Sequence, residues 1–556
     1  MTPIATRSLD IYQNRLPASC DVVVIGAGMG GLTAAALLSK AGMAVCVLDM
    51  ASRPGGYLSG FELNGFRFET AIHWLNQCGP QGFVRKIFDV ISPGSPGTAI
   101  NSRIRRFKSD VCDYLLTNDP NEMRDAIISR FEGEKGPVRR FFKASRTAAK
   151  SFSGLTHVCR SQETMSLLEK ARFFAAANWG ALPLMQYSLF SAEKGISTLF
   201  NSTCIKNIFS AEERLLSCLL PFGWAYENDY QLPPSGGSQA FPEWLCRILN
   251  IFNASVSLNA RVERISVENG SATGVRGVQN GKPFDIRANY VVAACDVESL
   301  YARMLPDGFV DKRMLRKQRD ADVFNSCITL SLGLDCPPSE LGLNEEQVLL
   351  RRVGISREEH GCDFPDKTEL SVIATSFRDP SLAPKGKGTV TVYAPASIGY
   401  GNFWESERDS KGGFVRGKAY QCFKKRYADI ILGRVEEKLI PKLRSHIEVM
   451  DIATPLTYLR YTGNKNGAIM GFRLSLKNIR NRIARYSTPV KNLFVGGQWA
   501  ELGGGVPVAV RAGMNSALMI LRKESPETYT VLRDAVDGRI SPETMSSTLL
   551  KTNSIL

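Results

Sequence analysis

The chain has 556 residues, of which 44% are hydrophobic and 22% charged. That balance supports a large buried core, excludes a chain that is mainly disordered, and at this length calls for more than one globular unit. The 69 basic against 54 acidic residues leave a net charge of +15. No nucleic-acid module accompanies it, so the expected partners of the charge are an anionic membrane surface or an acidic carrier protein rather than nucleic acid.

The residues before Asp21 lack a signal-peptide layout. Thirteen cysteines without a C-x-x-C pair fit a reduced, cytoplasmic compartment, and with only four histidines no metal ligand is assigned. The run Asp21–Ile25 carries four consecutive β-branched residues and reads as a buried parallel strand. Gly26, Gly28 and Gly31 follow as G-x-G-x-x-G, with Gly30 inside the motif, and the alanine- and leucine-rich run to Leu38 reads as a helix ending near Gly42. This strand, turn and helix would seat a pyrophosphate on the helix N-terminus. A second strand, 44–48, ends in Asp49, whose carboxylate is placed to accept ribose hydroxyls and to repel a 2′-phosphate. The nucleotide is therefore FAD or NAD rather than NADP.

Arg53 and the pair Gly55–Gly56 come next, where the chain would pass close to a cofactor. Alternation of Phe61, Leu63, Phe66 and Phe68 with polar residues predicts a hairpin turning at Asn64–Gly65. It leads to Glu69, His73 and Trp74. Histidine trades protons near neutral pH, which makes His73 the first candidate for a proton-handling group and Glu69 the second. Phe83, Trp179, Phe222, Trp224 and Tyr226 are candidates, with Trp74, to line an apolar tunnel. The apolar stretch 173–190 is interrupted by Asn178, Gly180, Pro183 and Gln186, too broken to span a bilayer. With the basic clusters at 103–108 and 139–140 it suggests peripheral membrane contact. His157, His360 and His446 read as surface or structural residues.

The glycine motif, the Gly55–Gly56 pair and the run from Gly65 to His73 resemble the phytoene desaturase superfamily, which includes carotenoid desaturases, carotenoid cis–trans isomerases and retinol saturases. The resemblance implies an α/β architecture: a Rossmann-type FAD-binding domain, discontinuous over 20–75, 235–297 and 485–522, with an interleaved α+β substrate domain, 76–234 and 298–484. Residues 523–556 read as a polar tail. The resemblance further implies that Val262 meets the adenine through its backbone, and that Gly497, Gln498, Gly505 and Val506 form a closing flavin segment. Gln498 stands where many flavoproteins carry an aspartate. FAD would be held without a covalent bond. The implied activity is desaturation, saturation or isomerisation of C=C bonds in a long hydrophobic polyene, carotenoid- or retinoid-like. Two alternatives stand beside it: redox chemistry on an acyl or polyketide chain held by an acidic carrier protein, and non-catalytic binding of flavin and polyene.

Overall fold

The computed structural model describes residues 16–156, 160–175, 184, 187, 190–210, 214–355, 357–410 and 412–553. Strand β1 (Ser19–Ile25), helix α1 (Met29–Lys40) and strand β2 (Val45–Leu48) open the chain. The hairpin β3 (Gly60–Leu63) and β4 (Phe66–Glu69) follows. It turns at Asn64 and Gly65, both with positive φ, the geometry of a two-residue hairpin loop.

The first sheet is completed by β5 (Ser255–Ser257), β6 (Ala260–Glu268), β7 (Ser271–Gln279), β8 (Lys282–Ala293) and β9 (Leu493–Val495). Its order is β6-β7-β8-β1-β2-β5, with β9 also on β8. β1 runs parallel to β2 and β8, β2 to β5, and β8 to β9. β8 is long enough to serve two partners. Its first half is antiparallel to β7, and its second half enters the parallel core. β1 alternates between two cores: Val22 and Val24 face one, Val23 and Ile25 the other. Burial on both faces explains the unbroken apolar run. Helix α1 and helix α2 (Val506–Glu524) cover one face together. They approach so closely that a Cβ on Gly513 would stand 2.1 Å from the carbonyl oxygen of Gly30.

The second sheet is mixed. In order it contains Ile447–Ala453, Ser326–Leu334, Gly388–Ala396, Leu370–Ile373, Gln347–Leu350, Arg103–Lys108 and Asp113–Thr117. All neighbours are antiparallel except the parallel pair Gln347–Leu350 and Arg103–Lys108. In Ser326–Leu334, Ile328, Leu330, Leu332 and Leu334 enter the core under this sheet, while Cys327, Thr329 and Ser331 face a cavity.

Three expectations change. Within the stretch read as a polar tail, Pro526–Val536 and Pro542–Asn553 are helices, and Tyr529, Leu532, Val536, Met545 and Leu549 are buried in the core beside α1. The basic cluster at 103–108 is a strand whose charges are engaged. Arg103 pairs with Glu346, Arg106 and Lys108 pair with Asp113, and Arg105 donates to Gln347. Cys112 and Cys204, 92 residues apart in sequence, are joined as a disulfide, against the expectation of reduced thiols throughout. Among the described residues no helix is long and apolar enough to cross a membrane.

Candidate active site

One cavity of about 2610 Å³ runs from the glycine motif to the second sheet. Sites for one small molecule measure roughly 300–1,000 Å³, so this space accommodates a dinucleotide and a long second ligand together.

At the nucleotide end, two helices begin at the cavity wall without a side-chain cap. Helix α1 starts after Gly28 and α2 after Gly505. Their first N–H groups have no partner inside the helix, and both helix dipoles favour negative charge there. Gly31 is required by packing, since a Cβ there would stand 1.9 Å from the Gly26 carbonyl oxygen. Gly28 is different: a Cβ there would meet no protein atom within 4 Å. The protein leaves this space open, and a pyrophosphate fills such a cradle. Gly30, Gly55, Gly56, Gly497 and Val506 line the same wall, as do Val262 on β6 and Gln498 just beyond β9. Arg53 stands at the rim and donates to the Gly60 carbonyl at 3.3 Å.

Asp49 lies at the end of β2 as expected, and its carboxylate has structural partners too. It accepts from the Ala27 amide at 2.6 Å and from the Ala51 amide at 2.7 Å. The residue that would hold the ribose thus also locks the glycine turn. Each carboxylate oxygen keeps a further lone pair for a ribose hydroxyl. Burial pushes the group upward from the usual aspartate range, against these two hydrogen bonds.

At the other end, His73 is 8% exposed and its ring stacks on Tyr393, centroids 5.1 Å apart. Its Nδ1 is buried without a hydrogen-bond partner, a polar atom left for a ligand. Burial lowers its pKa to about 4, so the imidazole is neutral at physiological pH. That differs from the near-neutral titration expected of an ordinary histidine. Tyr393 belongs to a polar chain: Gln347 donates to its hydroxyl at 2.5 Å and to Ser371 at 3.1 Å, and Arg105 donates to Gln347 at 3.1 Å.

Glu69 also borders the cavity, but both oxygens are occupied. The Ser238 amide donates to one at 2.7 Å and the Ser238 hydroxyl donates to the other. Burial is the main cause that raises its pKa to about 7, opposed by those bonds, with Asp379 adding to the rise. The arrangement makes Glu69 a clamp on the Pro234–Ser238 turn. It does not pair with Arg67, which faces Glu62 instead.

Of the aromatic candidates, Trp74, Phe83 and Trp224 line the cavity. Phe222 does not; it is packed among Phe107, Phe141, Phe142 and Phe209. Tyr226 instead donates to Asn121. Trp179 and His157 lie outside the described residues. Sequence reading missed Tyr393 and Tyr458, the latter sharing a hydrogen bond with Thr329 at 2.7 Å and donating to the Thr70 carbonyl at 3.0 Å. Both tyrosines come from distant segments that carry no local motif, and only the tertiary fold assembles them.

The parallel sheet, the two uncapped helix starts and the interleaved second sheet define a dinucleotide-binding protein of the Rossmann-like class, and residues 24–91 match the NAD(P)-binding Rossmann-like domain family. The fold is also that of a putrescine oxidase variant, with a TM-score of 0.57 at 16% identity over 91% of this chain and 99% of the other. Two proteins of Danio rerio are 23% identical: an inactive all-trans-retinol 13,14-reductase, over 87% of this chain and 83% of its own length, and an all-trans-retinol 13,14-reductase, over 96% and 91%. A 4,4'-diapophytoene desaturase of Methylomonas sp is 22% identical over 90% of this chain and 95% of its own. Over most of its length the chain is thus similar, at 22–23% identity, to proteins named as retinol reductases and a phytoene desaturase.

Proposed function

We propose that the protein is an FAD-dependent oxidoreductase acting on C=C bonds of a long hydrophobic polyene, by desaturation, saturation or isomerisation. The observation that carries this reading is the single cavity onto which two uncapped helix starts open, with unfilled space in front of Gly28. Gly26, Gly28, Gly30 and Gly31 would hold the pyrophosphate, Asp49 the ribose, Arg53, Gly55 and Gly56 the path alongside, and Val262 the adenine. Gly497, Gln498, Gly505 and Val506 would border the flavin, with the α2 dipole stabilising negative charge on its ring. Bound flavin supplies hydride exchange at a carbon. The chain's own part is to exclude water, to lay an extended apolar ligand between Trp74, Phe83 and Trp224, and to offer the unpartnered Nδ1 of His73 to a polar group of the ligand or the cofactor. The names of the relatives supply the substrate class, and the volume of the cavity supports it.

The same reading proposes a lipid surface as the source of substrate. The helix 167–175 exposes Leu167, Leu168 and Phe174 beside the basic Lys170 and Arg172, while its Phe173 lines the cavity. Apolar and basic groups together give interfacial binding.

Extraction of the purified protein with cofactor analysis tests the flavin. About one FAD per chain is expected. Gly28→Val fills the open space with a side chain and should give a folded, colourless protein. A yellow Gly28→Val protein with full flavin content would overturn the assignment.

A further inference from the structure

We propose that Asp335, Cys336 and His446 form a divalent-metal site with zinc as its fitting ion. The site stands apart from the flavin reading and does not depend on it, since none of the three residues lines the cavity. Strand Ser326–Leu334 is followed by Asp335, whose amide donates to the His446 carbonyl at 3.0 Å. The ladder with Ile447–Ala453 slips between Gly333 and Leu334. A slip of this kind re-aims the side chains that follow it. Here it brings two consecutive side chains onto one imidazole.

The three ligand atoms all lie within 4.8 Å of one another. Nδ1 of His446 is 2.9 Å from the Asp335 carboxylate and 3.7 Å from the Cys336 sulfur. Tetrahedral zinc, with Zn–S of about 2.3 Å and Zn–N and Zn–O of about 2.0–2.2 Å, sets neighbouring ligand atoms roughly 3.3–3.7 Å apart. Both distances to Nδ1 lie within about half an ångström of that spacing, and the third pair of ligand atoms is no more than 4.8 Å apart. The competing arrangement of these residue types is a nucleophilic triad. That requires thiol and carboxylate on opposite nitrogens of the ring, so that a proton can pass through it. In this protein both face the same nitrogen, which is the geometry of convergence on a point. Binding expels the thiol proton to solvent, leaves thiolate, imidazole and carboxylate as three ligands, and keeps the fourth position for water. The ion would tie the end of one strand to the turn that begins its neighbour.

Cobalt titration of the full-length protein, stripped first with chelator, tests the site. One equivalent of Co²⁺ should give a sulfur-to-cobalt charge-transfer band with the visible absorption of a tetrahedral centre, and Zn²⁺ should bleach both. Cys336→Ser should remove the charge-transfer band, and His446→Gln should weaken uptake by more than about tenfold. Cys422→Ser, at an exposed thiol elsewhere, should leave the spectrum unchanged. The ligands are partly exposed at the surface, so these variants keep the core intact. A wild-type protein without the sulfur-bound spectrum, a Cys336→Ser protein that retains it, or a Cys422→Ser protein that loses it would overturn the proposal.

Discussion

His73 decides what kind of help the chain gives the reaction. A general acid–base group contributes roughly 10²–10⁴-fold to rate, and its pKa should sit near the working pH. Burial instead holds this imidazole at about 4, neutral and stacked on Tyr393, with Nδ1 unpartnered. A single neutral hydrogen bond is worth about 0.5–1.5 kcal/mol, or up to about tenfold. We therefore expect His73→Ala to lose up to about tenfold in turnover with flavin retained, and His73→Gln to recover most of it. The rate profile should show no inflection near 6.5. A His73→Gln enzyme slowed by more than about a hundredfold would restore the proton-transfer role. Stability follows the same sign. The folded pKa lies below the unfolded one, so this contribution is fully present above about pH 6.5 and is lost as pH falls toward 4. Denaturation midpoints measured across that window should fall less in His73→Gln than in the parent.

At the scale of elements, the last helices show both what the sequence makes plain and what it hides. Ser-Pro-Glu-Thr occurs twice, at Ser525–Thr528 and at Ser541–Thr544. Each time the serine hydroxyl accepts from the threonine amide, at 3.4 and 3.3 Å, and proline takes the first helical position. The two caps were legible, but weak apolar periodicity between them masked the helices. The N-terminal motif was plain because strand, turn and helix are local. The second sheet was not, because its strands are scattered from residue 103 to 453 and meet only in space. Glu69 illustrates the same limit: its partner Ser238 lies 169 residues away. Leu532→Ala tests whether the terminal helices carry core packing. Leu532 is 1% exposed, and its truncation should cost about 2–5 kcal/mol in urea unfolding. An unchanged midpoint would return this region to the status of a solvated tail.

Over the whole molecule, the balance of charge and apolar surface bears on where the enzyme meets its substrate. The 103–108 cluster is spent within the sheet, which leaves Arg139, Arg140 and the helix 167–175 as exposed features. Flotation with vesicles should require anionic lipid, weaken in high salt, and be lost in Leu168→Glu or Phe174→Glu. Recovery in the soluble fraction under every condition would refute the lipid surface and favour an acidic carrier protein. The order of strands in the first sheet has a further consequence, for synthesis. β1 lies between β2 and β8, and the segment after β9 and the start of α2 line the same cavity as Gly28. A ribosome releases the glycine motif at Gly28 long before the start of α2 at Gly505, hundreds of residues later in the chain. A nascent or prematurely stopped chain thus displays the motif without the cradle. Colour from the proposed flavin would then report that synthesis has passed α2, as well as correct folding.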